Sequence, residues 1–148
     1  MNRTVQENWK ELLGLVARAC GRSDRSPDSV KIVAVSKTFP SEAVLEAYRA
    51  GVRIFGENYV QEAIPKIDRV SGEAPEAEWH FVGALQSNKA KQVVDRFSLI
   101  HSLDRWSLAE ALEKARKKTG GSVSALIEVN VAGEASKSGV SEAEIRPL

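Results

Sequence analysis

The sequence predicts an α/β fold, an incomplete (β/α)8 TIM-type barrel of about five strand–helix units preceded by an N-terminal helix, in a single domain over 1–148. Three observations carry this. Short β-branched runs alternate with amphipathic stretches through short links, which implies a parallel sheet with helices outside it. The first strand ends in Ser36-Lys37-Thr38-Phe39-Pro40 and lacks both glycine-rich phosphate turns typical of nucleotide-binding doubly wound sheets. Polar residues stand at the strand C-terminal ends (Lys37, Glu57, Asn58, Gln86, His101, Asn130), where barrels keep their functional groups. A doubly wound sheet is the competing architecture. Length is the difficulty for a barrel, since a closed one takes roughly 200 residues or more, and this chain has 148.

The elements follow in order. Val5 to Cys20 places Leu12, Leu13, Val16, Ala19 and Cys20 at helical spacing, and Gly21 can end that helix. Arg22 to Ser29 is a polar loop containing Pro27. Lys31 to Ser36 reads as a buried strand. Pro40 and Ser41 open a helix with Ala43, Val44, Ala47 and Tyr48 on one side, and Gly51 stops it. Val52 to Phe55 is the second strand. Tyr59 to Val70 is helical, with Pro65 expected to kink or break it. After a polar loop, Trp79 to Val82 is the third strand, Asn88 to Asp95 a short helix and Phe97 to Ile100 the fourth strand. Asp104 can cap a helix running to Lys118, closed by Gly120-Gly121. Ala125 to Asn130 is the fifth strand, and Ser141 caps a helix from Glu142 onward.

Composition narrows the function classes. Lys plus Arg is 21 and Asp plus Glu is 20, a net charge of +1. Nucleic acid as main partner would need a clustered basic excess. The basic run Lys114 to Lys118, with Glu110 and Glu113 upstream, reads as the last turn of a helix, where cations suit the dipole. The single cysteine, Cys20, cannot form an internal disulfide, so a reducing, cytoplasmic setting is expected. Its helical spacing marks it as a small apolar residue rather than a catalytic thiol. There is no apolar signal region and no run of membrane-spanning length, so no membrane partner is expected.

Among chemistry-bearing residues Lys37 stands first. Strand alternation gives it the face of Val33 and Val35. A lysine on the inner face of a sheet is costly unless paired or chemically used. Desolvation favours the neutral amine, the form that attacks a carbonyl to make a Schiff base. The competing reading is a lysine that emerges into solvent at a strand end. His80 lies within a strand, where it could stack on a flat ring, donate a hydrogen bond inward or sit satisfied in the core. His101 ends a strand and is expected to contact Ser102 or Asp104. Two histidines far apart, with one cysteine, make no metal-ligand spacing. Asn58, after Gly56-Glu57, offers a donor and an acceptor, though simple turn chemistry would account for it.

Together, several segments become specific. Ala34-Val-Ser-Lys-Thr-Phe-Pro40, Phe55-Gly-Glu-Asn-Tyr-Val-Gln-Glu62, Trp79-His-Phe-Val-Gly83, Leu85-Gln-Ser-Asn-Lys89, His101-Ser-Leu-Asp-Arg105, Glu128-Val-Asn130 and Glu134-Ala-Ser-Lys-Ser-Gly139 stand in order and at the spacing of one family. The chain closely resembles the pyridoxal-phosphate (PLP) homeostasis family, whose fold is similar to the N-terminal barrel of alanine racemases. The resemblance implies a cofactor, pyridoxal 5′-phosphate, held as a Schiff base on Lys37. It implies further cofactor contacts at Asn58 and His80, and a weaker aldehyde encounter at Lys137. It implies binding and handing on of PLP, with PLP-dependent apo-enzymes as partners and without amino-acid turnover. The family's phosphate-binding segment lies in a Gly-Met-Ser-x-Asp stretch and a later Gly-rich turn. Neither occurs in these 148 residues, which reads as a domain truncated at its C-terminus and implies weak PLP binding.

Two alternatives remain at this point. One is a half barrel acting as a structural or assembly module without cofactor. The other is a PLP-dependent racemase, which needs an acid–base group on each face of the substrate carbon; neither Tyr48 nor Tyr59 has an evident inward strand position. Unpaired sheet edges suggest a homo-oligomer or a complementing fragment.

Overall fold

The computed structural model describes residues 3–134 and 136–146. Helix α1 runs Val5–Arg22, strand β1 Ala34–Val35, α2 Ser41–Arg49, β2 Ile54–Glu57 and α3 Val60–Val70. Then follow β3 Glu78–Phe81, α4 Ala90–Val93, β4 Leu99–Leu103, α5 Trp106–Thr119 and β5 Ala125–Ile127. The five strands form one parallel sheet in the order β1-β2-β3-β4-β5. Each strand pairs with the next, so the order never reverses. A doubly wound sheet requires such a reversal, and the winding here is that of a barrel.

Alternation sorts the strand side chains into two layers. Phe55, Trp79, Phe81 and Ile100 point to the helices and share a buried core with Val44, Val60, Val93, Leu108 and Leu112. Phe55 stacks on Trp79 at 5.4 Å between ring centroids, and Phe81 meets Phe97 edge-on at 5.4 Å. The opposite face is lined by Val33, Val35 and Val82, which converge over Gly56. That face is open: Val35 keeps 46% of its surface exposed, and Leu126 on β5 keeps 48%.

The helices begin and end for local reasons. Thr4 and Glu7 form a capping box on α1, each holding the other's backbone N–H. Gly120, at φ +75°, closes α5 in the left-handed conformation after Arg116, Lys117 and Lys118 in the last turn. No helix among the described residues is long and apolar enough to cross a membrane.

Several boundaries differ from expectation. β1 is confined to two residues because it has only β2 to pair with and β2 begins at Ile54. α1 passes Gly21 and stops at Arg22. Pro65 does not break α3. Val60, Ala63, Lys66 and Val70 anchor its buried face on both sides of the proline, which offsets the lost backbone bond. Asp104 does not cap α5; it pairs with Arg105, whose guanidinium also donates to the Leu85 carbonyl at 2.7 Å. The helix expected over 88–95 is a 3-10 turn, Ser87–Lys89, followed by the single turn of α4. β5 stops at Ile127, although Val129 still bridges Val140. The helix expected from Glu142 is a 3-10 turn, Glu142–Glu144, capped by Ser141; its continuation at 147–148 lies outside the described residues.

Candidate functional site

The C-terminal ends of β1 and β2 meet the N-terminal half of α3 in a buried charged cluster. Glu57 is the last residue of β2, shares the helix-facing side with Phe55, and is fully buried. Lys66 comes from the apolar stripe of α3 and is 5% exposed. Its ammonium donates to Glu57 Oε1 at 2.6 Å, to Glu62 Oε1 at 2.9 Å and to the Ser36 carbonyl at 2.7 Å. The Ser36 hydroxyl donates to the same Glu57 oxygen at 2.7 Å. Glu62 also accepts the Thr38 N–H at 2.5 Å. The Lys66 hydrogen bond, more than any other contact, holds the Glu62 carboxyl below its ordinary value; burial opposes this, and the Thr38 N–H assists it. Taking one partner out of such a buried pair costs about 3–5 kcal/mol, because the other charge is left without compensation.

Lys37 follows at once. It lies in the turn after β1, between Ser36 and Thr38, and its side chain is exposed. The burial expected for it is not found. β1 ends at Val35, and the sheet face beside it is open, so nothing among the described residues covers the lysine. Lys37 makes no ion pair or side-chain hydrogen bond among the described residues. Thr38 stands at φ +66°, a left-handed conformation that is a genuine outlier for a β-branched residue.

The inner face carries the two histidines. His80, on β3, is buried, and His101, on β4, is half buried. Their ring nitrogens, His80 Nδ1 and His101 Nε2, lie 3.0 Å apart, with centroids 5.0 Å apart and planes tilted by 43°. One ring donates and the other accepts. His101 therefore contacts His80 across the strand pair, not Ser102 or Asp104 as expected. Burial is the main cause lowering the His80 pKa from 6.5, with His101 and Lys31 adding to it and Glu78 opposing it. No group of three or more potential metal ligands occurs among the described residues.

Asn58 is half buried just past β2, where its backbone presses on Gly83; a Cβ on Gly83 would stand 2.4 Å from the Asn58 carbonyl oxygen. The ends of β2 and β3 can approach this closely only with glycine at 83. Lys137 lies apart, in the loop after β5. It is exposed and pairs with Glu134 at 2.8 Å, while the Asn130 side chain binds the Glu134 and Lys137 carbonyls. The structure thus gathers Lys37 and Asn58 at neighbouring strand ends, keeps His80 on the inner face, and holds Lys137 in its own loop.

Glu62 and Lys66 carry no role in the sequence reading, and Glu57 enters it only as a polar residue at a strand end. A signal for them existed. Lys66 falls on the stripe Val60, Ala63, Val70 at helical spacing, and Glu57 closes a strand on its core-facing side. Two opposite charges at core positions of adjacent elements are expected to pair.

Three comparisons bear on this arrangement. The family described as alanine racemase, N-terminal domain, matches residues 16–148. Relatives named pyridoxal phosphate homeostasis protein include one from Vibrio alginolyticus, 43% identical over 98% of this chain and 63% of its own length. Another, from Aquifex aeolicus, is 39% identical over 96% of this chain and 61% of its own length. The chain thus spans somewhat over three-fifths of the curated relatives it matches. PipY of Synechococcus elongatus, solved with PLP bound, superposes with a TM-score of 0.75 at 40% identity, over 89% of this chain and 60% of that one. Its PLP-free structure gives 0.77 at 41% identity, over 89% and 61%.

Proposed function

Because the chain belongs to the alanine racemase N-terminal domain family, we propose that it binds pyridoxal 5′-phosphate through a Schiff base on Lys37 and serves PLP homeostasis rather than amino-acid turnover. The observation that carries this is an exposed lysine, unpaired among the described residues, at the C-terminal end of the first barrel strand, on a main chain tied down by charged side chains. The names of the relatives and the PLP-bound PipY structure support the same reading.

The residues present fit the aldehyde end of such a cofactor. PLP, when bound, supplies an aldehyde that a neutral primary amine attacks. Lys37 supplies that amine, and its exposed side chain leaves the amine open to an incoming aldehyde. The open face of Val33, Val35, Gly56 and Val82 offers an apolar surface beside it. Asn58, half buried with no side-chain hydrogen bond among the described residues, keeps a donor and an acceptor for a polar ring substituent. His80 stays neutral at physiological pH because burial disfavours its charged form. Lys137 is engaged by Glu134 and serves at most a secondary encounter. PLP-dependent apo-enzymes are the proposed recipients.

Racemisation would need a second acid–base group. Tyr48 is held at the outer surface, over Arg53 at 4.3 Å and near Glu76, and Tyr59 caps α3 in solvent. Borohydride reduction of a PLP-treated sample, followed by peptide mass mapping, tests the proposal. Lys37 should be labelled before the other lysines; label mainly on Lys114 or Lys117 overturns it. D-/L-amino-acid interconversion in the presence of PLP should not exceed that of free PLP. A second reading, an assembly module that takes no cofactor, is favoured by the half-exposed Val35 and Leu126 on the open face, and failure to label Lys37 selects it.

A further inference from the structure

We propose that Glu57, Glu62 and Lys66 form a positioning cluster that fixes the main chain on both sides of Lys37 and thereby sets how fast that lysine condenses with an aldehyde; this rests on Lys37 being the cofactor-bearing residue.

Two peptide groups flank the Lys37 Cα. The first contains the Ser36 carbonyl, which accepts from the Lys66 ammonium at 2.7 Å. The second contains the Thr38 N–H, which donates to Glu62 Oε1 at 2.5 Å. The two anchors are not independent, since Lys66 also bonds Glu62 at 2.9 Å and Glu57 at 2.6 Å. A third tie runs from the Ser36 hydroxyl to Glu57 at 2.7 Å. Both torsions of Lys37 are therefore held by charged groups from β2 and α3, while its own side chain stays free in solvent.

The backbone next to Lys37 supports this. Thr38 occupies a left-handed conformation, φ +66°, and such strain persists only where the surroundings over-determine it. The Glu62 bond to the Thr38 N–H does that here, and the Lys66 ammonium, bonded to the same oxygen at 2.9 Å, holds that carboxylate in place. A need for stability alone does not explain the cluster. Apolar residues of similar volume in place of a buried ion pair are often neutral or stabilising. What the charges add is direction, because one bond from Lys66 and one to Glu62 end on the two peptide groups that orient Lys37, and the remaining bonds tie those two side chains to each other and Glu57 to Lys66 and the Ser36 hydroxyl.

The test uses the whole chain with four variants: Glu62→Ala, Glu62→Gln, and Glu57→Gln alone and together with Lys66→Met. The double variant neutralises the buried pair, so that it folds without an orphaned charge. Three quantities are read: the melting temperature, hydrogen exchange at the Thr38 amide, and the rate of PLP-dependent, borohydride-trapped labelling at Lys37. Glu62 is partly exposed, so Glu62→Ala should leave melting nearly unchanged. It should speed Thr38 exchange by about tenfold or more, the equivalent of one charge-assisted hydrogen bond, and slow Lys37 labelling several-fold. Glu62→Gln keeps an oxygen acceptor and should restore both. The double variant, which takes the Lys66 ammonium off the Ser36 carbonyl and leaves it the Phe39 N–H at 3.1 Å, should slow labelling while remaining folded, and Glu57→Gln alone, which leaves Lys66 on that carbonyl, should slow it less. Labelling at the wild-type rate in Glu62→Ala, with the Thr38 amide exchanging fast, overturns the proposal, as does an unchanged Thr38 amide. Absence of label at Lys37 in the wild-type chain overturns the cofactor reading instead, and Thr38 exchange still decides whether the clamp exists.

Discussion

His80 shows how one buried side chain ties stability to pH. Its pKa is lowered from 6.5, first by burial, then by His101 on β4 and Lys31, with Glu78 opposing. In the unfolded chain the imidazole takes up a proton near its ordinary value, whereas in the fold it resists protonation. The unfolded state therefore binds more protons just below pH 6.5, and stability falls there as pH falls. The contribution is complete above that value and lost as pH drops through the lowered folded value. Melting temperature followed from neutral pH downward should decline below about pH 6.5, and His80→Phe should flatten that decline. An equal slope in the variant would place the proton uptake elsewhere. Glu62 acts in a separate window. Its carboxyl is held low by Lys66, so its share is present above the ordinary carboxylate range and lost only in stronger acid. At this scale the sequence located Lys37 and Asn58 at strand ends and His80 within a strand, but it expected Lys37 to be buried where the structure leaves it exposed. The stripe of α3 marked Lys66 as a core position, but the sequence did not show which groups it would bond, because those lie at the ends of β1 and β2. The sequence hid the histidine pair too, since pairing depends on β3 and β4 being neighbours in register, His80 opposite Leu99.

At the scale of elements, periodicity reveals type better than ends. The apolar stripe of α3 identifies a helix across Pro65, and the proline signal loses because packing on both sides outweighs one missing backbone bond. Strands are less legible. Lys31 to Val33 is as β-branched as Ala34-Val35, yet an edge strand has ladder bonds only where its single neighbour lies alongside. Helix α5 is the clearest case, since its end is written in residue chemistry: three basic residues, then Gly120 at φ +75°. A Cβ at Gly120 would meet no atom within 4 Å, so substitution there costs conformational strain and nothing else. Gly120→Ala should destabilise the chain by about 1 kcal/mol, measured by denaturant titration with the m-value unchanged. A neutral result would mean the last turn of α5 unwinds to relieve the strain. The ion pair of Glu113 with Arg116, at 2.8 Å, holds the Glu113 carboxyl down to about 2. Both groups are in solvent, so the pair decorates this helix end rather than fixing it.

At the scale of the molecule, the sheet order agrees with the expected barrel winding, and the open state of the barrel decides how the chain behaves on its own. The solvent-accessible surface is 9557 Å² for 16.2 kDa. A compact monomer of that mass exposes roughly 7,500 Å². The excess of roughly 2,000 Å² exceeds the roughly 800 Å² that each partner contributes to a standard protein interface. Part of it lies where association would be most favourable. Among the described residues β1 and β5 each lack a neighbour on their outer edge, and unpaired edges invite pairing with other chains. Val35 and Leu126 lie half exposed on the face that a closed barrel fills with side chains. An apolar groove of about 170 Å³ runs beside β1, lined by Val5, Phe39, Ala43 and Val44 among others. The apolar part of that surface drives association at roughly 25 cal/mol per Å², against the entropy lost when two chains join. The 148-residue chain should therefore self-associate at low micromolar concentration, through edge pairing or by covering the inner face. Light scattering across a dilution series should show a mass above that of one chain. Replacing Val35 and Leu126 with lysine, which places like charges on the open face and along both edges, should shift the particles to monomers without unfolding them. A clean monomer for the unaltered chain, melting cooperatively at every concentration, would mean that the inner face is stable in water as it stands.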